Sequence, residues 1–220
     1  MNPINRRSPE VRTRYTPPTN PGGRLEPMRV LITEPDRRRA REQAEAQYAH
    51  SRELGWRDKS FSEKYDSKSD PVYFGELGEI AVEKTFDRLE LAYVRGLKTG
   101  VQRPQDITHD FYVAGQGIGV KTEVPDWCSS PWEFARKTRY GCIYTLRTPE
   151  SGYGGSNGYP DLLVHCLYFP QVNADHLWIT GYVDRQTLVN APVRQLFGKG
   201  VHCISPYKFC CIEMIRLAIL

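Results

Sequence analysis

The sequence predicts an α/β domain in which a central mixed sheet of about five strands is flanked by helices. One observation is a helix-forming stretch at residues 75–86, where apolar residues recur at helical spacing. Another is a nearly continuous apolar run, DLLVHCLYF at 161–169, which is typical of a buried strand. The third is a series of further β-prone runs: 91–95, 109–113, 118–124, GCIYTLRT and HLWITGYVD.

The composition allows one hydrophobic core of ordinary size, since 40% of the 220 residues are hydrophobic. No apolar run approaches the roughly 20 residues that span a bilayer. The arginine-bearing N-terminus also lacks the apolar segment of a signal peptide. These features exclude the membrane-protein class, and a cytoplasmic location is expected.

The six cysteines occur without a CxxC pair. In a reducing compartment this pattern predicts free thiols, most of them buried. The alternative is a zinc or iron–sulfur cluster, but the spacing matches no standard ligand pattern and adjacent cysteines rarely share one metal. The residues considered for such a cluster are Cys128, His202, Cys203, Cys210 and Cys211.

Composition divides the chain into three segments. Residues 1–27 contain six prolines and few apolar residues, which predicts a disordered basic tail. Residues 28–70 are predicted to form a helical arm and a loop, with the helix in DRRRAREQAEAQYAHSREL ending near Gly55. Residues 71–220 are predicted to form the folded domain.

The positive charge is concentrated at the start of the chain. Residues 1–60 carry 13 Lys and Arg against 8 Asp and Glu, whereas the whole chain has a formal charge of +4. A basic arm suits a polyanionic partner such as nucleic acid, whose phosphates attract Lys and Arg. A merely soluble tail explains the excess equally well.

Three glutamates of the helix predicted at 75–86 share one acidic face. Glu76, Glu79 and Glu83 are three and four residues apart, which places them within an arc of roughly 60°. Glycines at the start of the same helix indicate a close approach to its backbone. The alternative is a helix that packs closely on the sheet while its glutamates are merely solvated.

The segment HDFYVAGQGIGVKTEV, residues 109–124, predicts an antiparallel hairpin with its turn at 114–117. In this register Asp110 lies roughly opposite Val120, next to Lys121. An ordinary surface ion pair is the alternative interpretation. Because side chains alternate along a strand, three residues of the second arm share one face: Gly119, Lys121 and Glu123.

These groups are suited to binding a divalent metal and attacking a phosphodiester. Mg²⁺ prefers hard oxygen ligands, and it can polarise a phosphoryl oxygen and acidify a bound water. Asp110 would be the central ligand, and Glu123 or Glu79 the second carboxylate. The carbonyl of Val120 would add a further oxygen, and Lys121 would be the activating cation.

The chain resembles the PD-(D/E)XK superfamily of Mg²⁺-dependent nucleases, and its phage and bacterial members most of all. The resemblance covers residues 70–190, and its motifs follow one another in the expected order. It implies a restriction-endonuclease-like core, DNA as the partner, and Mg²⁺ or Mn²⁺ as the cofactor. Whether the chain forms a homodimer stays open at this point. The segments that carry it are GELGEIA (75–81), DITHDFYVAGQGIGVKTE (106–123), YPDLLVHCLYF (159–169) and HLWITGYVDRQTL (176–188).

The resemblance assigns roles to individual residues. Asp110, Lys121 and Glu79 match the family's aspartate, lysine and helical acid. Gly119 stands where the family has a second acid, and we hypothesise that Glu123 replaces it as a migrated ligand. Asp106 is an alternative to Asp110, ranked below it because Asp106 would fall beyond the paired end of the hairpin.

The expected function is therefore a metal-dependent deoxyribonuclease. One rival is a catalytically inactive nuclease-fold protein that binds nucleic acid or a protein partner, which the glycine at position 119 favours. The other is a metal-stabilised structural protein without a nucleic-acid role, which the near-neutral charge of residues 61–220 favours.

Overall fold

The structure is a computed structural model that describes residues 25–53, 70–96, 109–139, 141–145, 159–196 and 199–219. The predicted disordered tail lies outside these ranges apart from its last three residues. Asp106 also lies outside them.

The strands form two sheets, and the main one has six strands. The strands are β1 (Met28–Leu31), β2 (Tyr93–Arg95), β3 (Phe111–Val113), β4 (Gln116–Glu123), β5 (Cys142–Thr145), β6 (Leu162–Tyr168), β7 (His176–Asp184), β8 (Val193–Leu196) and β9 (Lys199–Ile204). The main sheet has the order β1-β7-β6-β4-β3-β2, and β4 and β6 form its parallel pair. The predicted α/β class with a mixed sheet and flanking helices is thus confirmed.

The main sheet exceeds the predicted five strands because the predicted helical arm supplies an edge strand. Residues Met28–Leu31 pair antiparallel with β7. The strand predicted in GCIYTLRT is present as β5, but it belongs to the second sheet, whose order is β5-β9-β8. The boundaries proposed for the three segments stay a prediction.

Two long helices cover one side of the main sheet. The helices are α1 (Glu34–Glu53), α2 (Pro71–Arg88), α3 (Pro131–Lys137), α4 (Arg185–Val189) and α5 (Ile215–Ile219). Helix α2 begins four residues before the predicted start, because Asp70 caps it. The Asp70 carboxylate accepts the N–H groups of Val72 and Tyr73 at 2.9 and 3.1 Å, and Pro71 occupies the first helical position.

Different elements pack against the two faces of the main sheet. Alternate residues of β4 and β6, including Ile118, Val164 and Cys166, pack into the main core with α1 and α2. We call this side the helix face. Residues between them, including Leu163 and Leu167, pack against α3, α4 and the three-stranded sheet. We call that side the opposite face.

A capping box closes the start of α1 and anchors this helix to α2. The Thr33 N–H donates to Asp36 Oδ2 at 2.8 Å, and Lys84 of α2 donates to the same oxygen at 2.7 Å. Burial alone would raise the pKa of Asp36. The hydrogen bonds from Lys84 and Thr33 outweigh burial and hold the pKa of Asp36 below its ordinary value of 3.8.

We expect Asp36→Asn to lower the free energy of unfolding by about 1 kcal/mol at neutral pH. A carboxyl with a depressed folded-state pKa stabilises the fold above its unfolded pKa, and this stabilisation is lost as the pH falls through the folded pKa. Urea denaturation should therefore show the wild type and the variant converging below pH 3.8. A difference that stays constant down to about pH 2 would contradict this role of Asp36.

Within the described residues, no helix combines the length and the apolar character needed to cross a membrane.

Candidate functional site

Strands β3 and β4 form the predicted antiparallel hairpin, but its turn is shorter than predicted. Val113 pairs with Gln116, so the turn consists of Ala114 and Gly115 rather than of residues 114–117. The φ angles of the two turn residues are +48° and +81°, as a type I′ turn requires. The predicted turn is wrong because the second strand begins two residues earlier than expected.

Asp110 immediately precedes β3, and its carboxylate reaches across to β4. Its Oδ2 atom accepts the Val120 N–H at 2.6 Å, and its own N–H donates to the Ile118 carbonyl at 2.9 Å. Phe111 pairs with Ile118, so the backbone of Asp110 lies nearest Ile118 and Gly119 and not opposite Val120 as predicted; only the carboxylate reaches Val120. The carboxylate is thereby held at the end of the hairpin pairing, one residue from Lys121.

Lys121 lies on the opposite face of the sheet. Its neighbour Thr122 packs against α2 so closely that a Cβ atom added to Gly78 would lie 1.8 Å from Thr122 Oγ1. Strand alternation therefore directs Lys121 away from α2. The residue is half-buried and forms no ion pair with any residue in the described part of the chain.

Pro160 covers Gly119, the position at which the resemblance led us to expect an acid. A Cβ atom added to Gly119 would lie 3.1 Å from Pro160 Cγ and 3.6 Å from Leu163 Cδ1. A longer side chain at position 119 would therefore require the proline to shift. The absence of a side chain at Gly119 therefore allows Pro160 to pack against β4.

The three glutamates of α2 form the predicted acidic face, but the alternative of a solvated face is wrong. Glu76, Glu79 and Glu83 are 1%, 3% and 9% exposed. Arg95 of β2 hydrogen-bonds Glu76, and its guanidinium lies 3.0 Å from Glu79 Oε2 and 3.7 Å from Glu83 Oε2. Arg39 of α1 contacts Glu83 at 2.6 Å. Two arginines thus compensate the buried charge, and no sequence motif marked either as a partner.

The structure does not bring all the predicted site residues together. Glu79 lies on the helix face with Arg95, whereas Lys121 and Glu123 lie on the opposite face. Asp110 binds the backbone one residue from the lysine, and Glu123 interacts electrostatically with Lys121 from the same face of β4.

Glu123 has a separate group of neighbours. Its Oε1 atom accepts the Ile143 N–H at 2.9 Å and lies 3.4 Å from His165 Nε2. Burial would raise the pKa of Glu123, but His165 in its protonated form, the Ile143 N–H and the charge of Lys121 outweigh burial and lower it.

The Cys142 thiol completes this second group. The ligand atoms of Glu123, Cys142 and His165 all lie within 4.8 Å of one another. Burial, with a smaller contribution from Glu123, raises the pKa of the Cys142 thiol well above its ordinary value.

Sequence reasoning missed His165 and Cys142. The signal for His165 was a histidine within an otherwise apolar strand, whereas Cys142 lies in a different sheet and had no local signal. All six cysteines are free thiols and four of them are buried, as predicted. Within the described residues, no other group of three metal-binding side chains is gathered. The set considered from sequence therefore does not assemble: Cys128, His202, Cys203, Cys210 and Cys211.

Comparisons of this chain with protein-family models, with curated proteins and with solved structures find no match.

Proposed function

We propose that this chain is a metal-dependent deoxyribonuclease that hydrolyses DNA phosphodiester bonds on a restriction-endonuclease-like core. The observation that carries the proposal is the Asp110 carboxylate bound to the N–H of Val120, the residue that precedes the half-buried Lys121. The order of elements supports it, because an acid-bearing helix precedes the hairpin and the buried strand β6 is followed by β7 and the short helix α4. This is the order that the resemblance to PD-(D/E)XK nucleases implies.

The residues near Lys121 could bind Mg²⁺ with one carboxylate ligand, that of Asp110. Mg²⁺ commonly keeps several waters and binds through one or two carboxylates together with substrate phosphates. Asp110 offers the carboxylate, and the Val120 carbonyl is the second protein oxygen in this proposal. Glu79 and Glu123 are engaged elsewhere. We therefore expect Mg²⁺, or Mn²⁺ in its place, to bind mainly when DNA is present.

The chemistry divides between the metal and the protein. Bound Mg²⁺ would polarise the phosphoryl oxygen and lower the pKa of a water. Asp110 is kept in place by the Val120 N–H and by the hairpin pairing. Lys121 would orient the attacking water or compensate the negative charge that develops on the phosphate, and its partial burial strengthens that charge interaction.

The test is a cleavage assay with the purified full chain on linear, circular, single-stranded and branched DNA. We expect cleavage with Mg²⁺ or Mn²⁺, loss of cleavage in EDTA, and loss of cleavage in Asp110→Ala. Circular dichroism of the variant checks that it remains folded. A wild-type protein that cleaves none of these substrates at saturating metal would contradict the enzymatic proposal.

A second candidate is a catalytically inactive nuclease-fold protein that binds nucleic acid or a protein partner. The packing of Pro160 over Gly119 favours it, because this contact fills the position of the family's second acid. DNA that is retarded on a gel but not cleaved would support this candidate. Neither binding nor cleavage would support a purely structural role.

A further inference from the structure

The side chains of Glu123, Cys142 and His165 meet where the two sheets join. Glu123 ends β4 and His165 lies on β6, both in the main sheet, whereas Cys142 begins β5 in the three-stranded sheet. Cys142 and His165 are 0% and 1% exposed, and the Glu123 side chain is 19% exposed. We call this group the junction cluster.

The hydrogen bonds of His165 define which ring nitrogen carries its proton. The Thr180 hydroxyl donates to the His165 carbonyl at 3.2 Å, so its oxygen accepts the proton of His165 Nδ1 at 2.7 Å. In the neutral form of the ring the lone pair is therefore on Nε2, and this buried atom has no hydrogen-bond partner. The rings of Phe134 and Phe209 pack against the imidazole, with centroids 5.9 and 5.2 Å away.

A cation between the two groups would interact favourably with both the lone pair and the carboxylate. A proton would give a charge-assisted hydrogen bond, for which about 2.7–2.9 Å is usual. The observed distance from His165 Nε2 to Glu123 Oε1 is 3.4 Å, which is too long for such a bond. Nitrogen and oxygen ligands at about 2.0–2.1 Å from a tetrahedral zinc ion lie roughly 3.3–3.4 Å apart.

We propose that Glu123, Cys142 and His165 bind one zinc ion at the junction of the two sheets. A carboxylate oxygen, a thiolate sulfur and an imidazole nitrogen are the donor types that zinc takes, and a water fills the fourth position. Binding releases the thiol proton of Cys142 to solvent, so that the two anionic ligands balance the charge of the ion. Thr180 orients the imidazole from behind, as carbonyl, carboxylate or hydroxyl partners of metal-bound histidines do.

The ion would link the two sheets of the fold. Glu123 and His165 come from adjacent strands of the main sheet, and Cys142 comes from the edge of the smaller one. A ligand that binds the folded chain and not the unfolded chain stabilises the fold. Zinc should therefore raise the melting temperature, whether or not the protein cleaves DNA.

The test uses the full chain, stripped of metal with EDTA and reloaded with Zn²⁺ or Co²⁺ in the absence of DNA. We expect one zinc ion per chain by mass spectrometry and a higher Tm with zinc. With Co²⁺ we expect a thiolate-to-cobalt charge-transfer band in the near ultraviolet. A wild-type chain that retains no zinc, or that shows no such band, would overturn the proposal.

Two serine variants assign the band to one thiol. Cys142→Ser should lose the cobalt band and the zinc-dependent rise in Tm. Cys166→Ser is the matched control, because Cys166 is equally buried and adjacent to His165 but belongs to the main core on the helix face. It should keep both signals. A cobalt band of wild-type intensity in folded Cys142→Ser, or its loss in folded Cys166→Ser, would overturn the assignment.

Thr180→Val tests the imidazole's orientation without touching a ligand. Losing the hydrogen bond to His165 Nδ1 should weaken zinc binding about 10- to 100-fold. This variant also keeps the proposal open to refutation where Cys142→Ser fails to fold, because unchanged zinc affinity in folded Thr180→Val would contradict the proposed site.

Discussion

Replacing Lys121 with alanine should lower the rate of metal-dependent DNA cleavage by a factor of about 100 to 1,000. The side chain lies one residue from the point where Asp110 binds the backbone, and it forms no ion pair in the described part of the chain. In the proposed nuclease its charge would therefore act on the reacting phosphate. Because that interaction strengthens as charge develops in the transition state, kcat should fall more than KM changes.

Lys137→Ala is the control for the general loss of a positive charge. Lys137 lies in α3, its side chain is 49% exposed, and it hydrogen-bonds Glu133 one helical turn away. Single-turnover assays should show wild-type rates for this variant. Equal losses in the two alanine variants, or no loss in Lys121→Ala, would contradict the role given to Lys121.

Replacing Arg95 with methionine should lower the free energy of unfolding by about 3–5 kcal/mol. The substitution removes the guanidinium that contacts Glu76, Glu79 and Glu83 while it keeps a long apolar side chain over Phe111. The penalty arises because buried carboxylates are left without their main compensating charge. Urea denaturation at neutral pH measures it.

Arg39→Met is the matched comparison for this cluster. The Arg39 side chain is 44% exposed, and its ion pair is with Glu83, the most exposed of the three glutamates. Solvent screens such a contact, so we expect a loss of about 1 kcal/mol or less. If Arg95→Met is no more damaging than Arg39→Met, then Arg95 is not the residue that stabilises the acidic cluster.

The class of fold could be predicted because its signals are local. The apolar run at 161–169 indicates a buried strand wherever the rest of the chain lies, and it forms β6. The start of α2 was missed although its signal, Asp70 followed by a proline, is also local. By contrast, pairing of Met28–Leu31 with β7 joins segments about 150 residues apart, and no local pattern encodes that contact.

The contacts of the candidate site also divide into those that local sequence predicts and those that it does not. The pairing of β3 with β4, which brings the Asp110 carboxylate to Val120, could be predicted because nearby residues determine it. The separation of Glu79 from Lys121 depends on which face of the sheet α2 covers, and periodicity alone does not set this choice. Cys142 reaches His165 through the docking of one sheet on another, so their proximity became visible only in three dimensions.

The most direct test of the central claim is the rate of linear-duplex cleavage as a function of Mg²⁺ concentration, for the wild type and Asp110→Ala side by side. We predict that the wild-type rate rises with Mg²⁺ and is abolished by EDTA, whereas Asp110→Ala stays at background at every Mg²⁺ concentration. A folded Asp110→Ala that follows the wild-type curve would show that this carboxylate does not hold the metal. A wild-type protein that cleaves no DNA at any Mg²⁺ concentration would contradict the proposal that the chain is a nuclease.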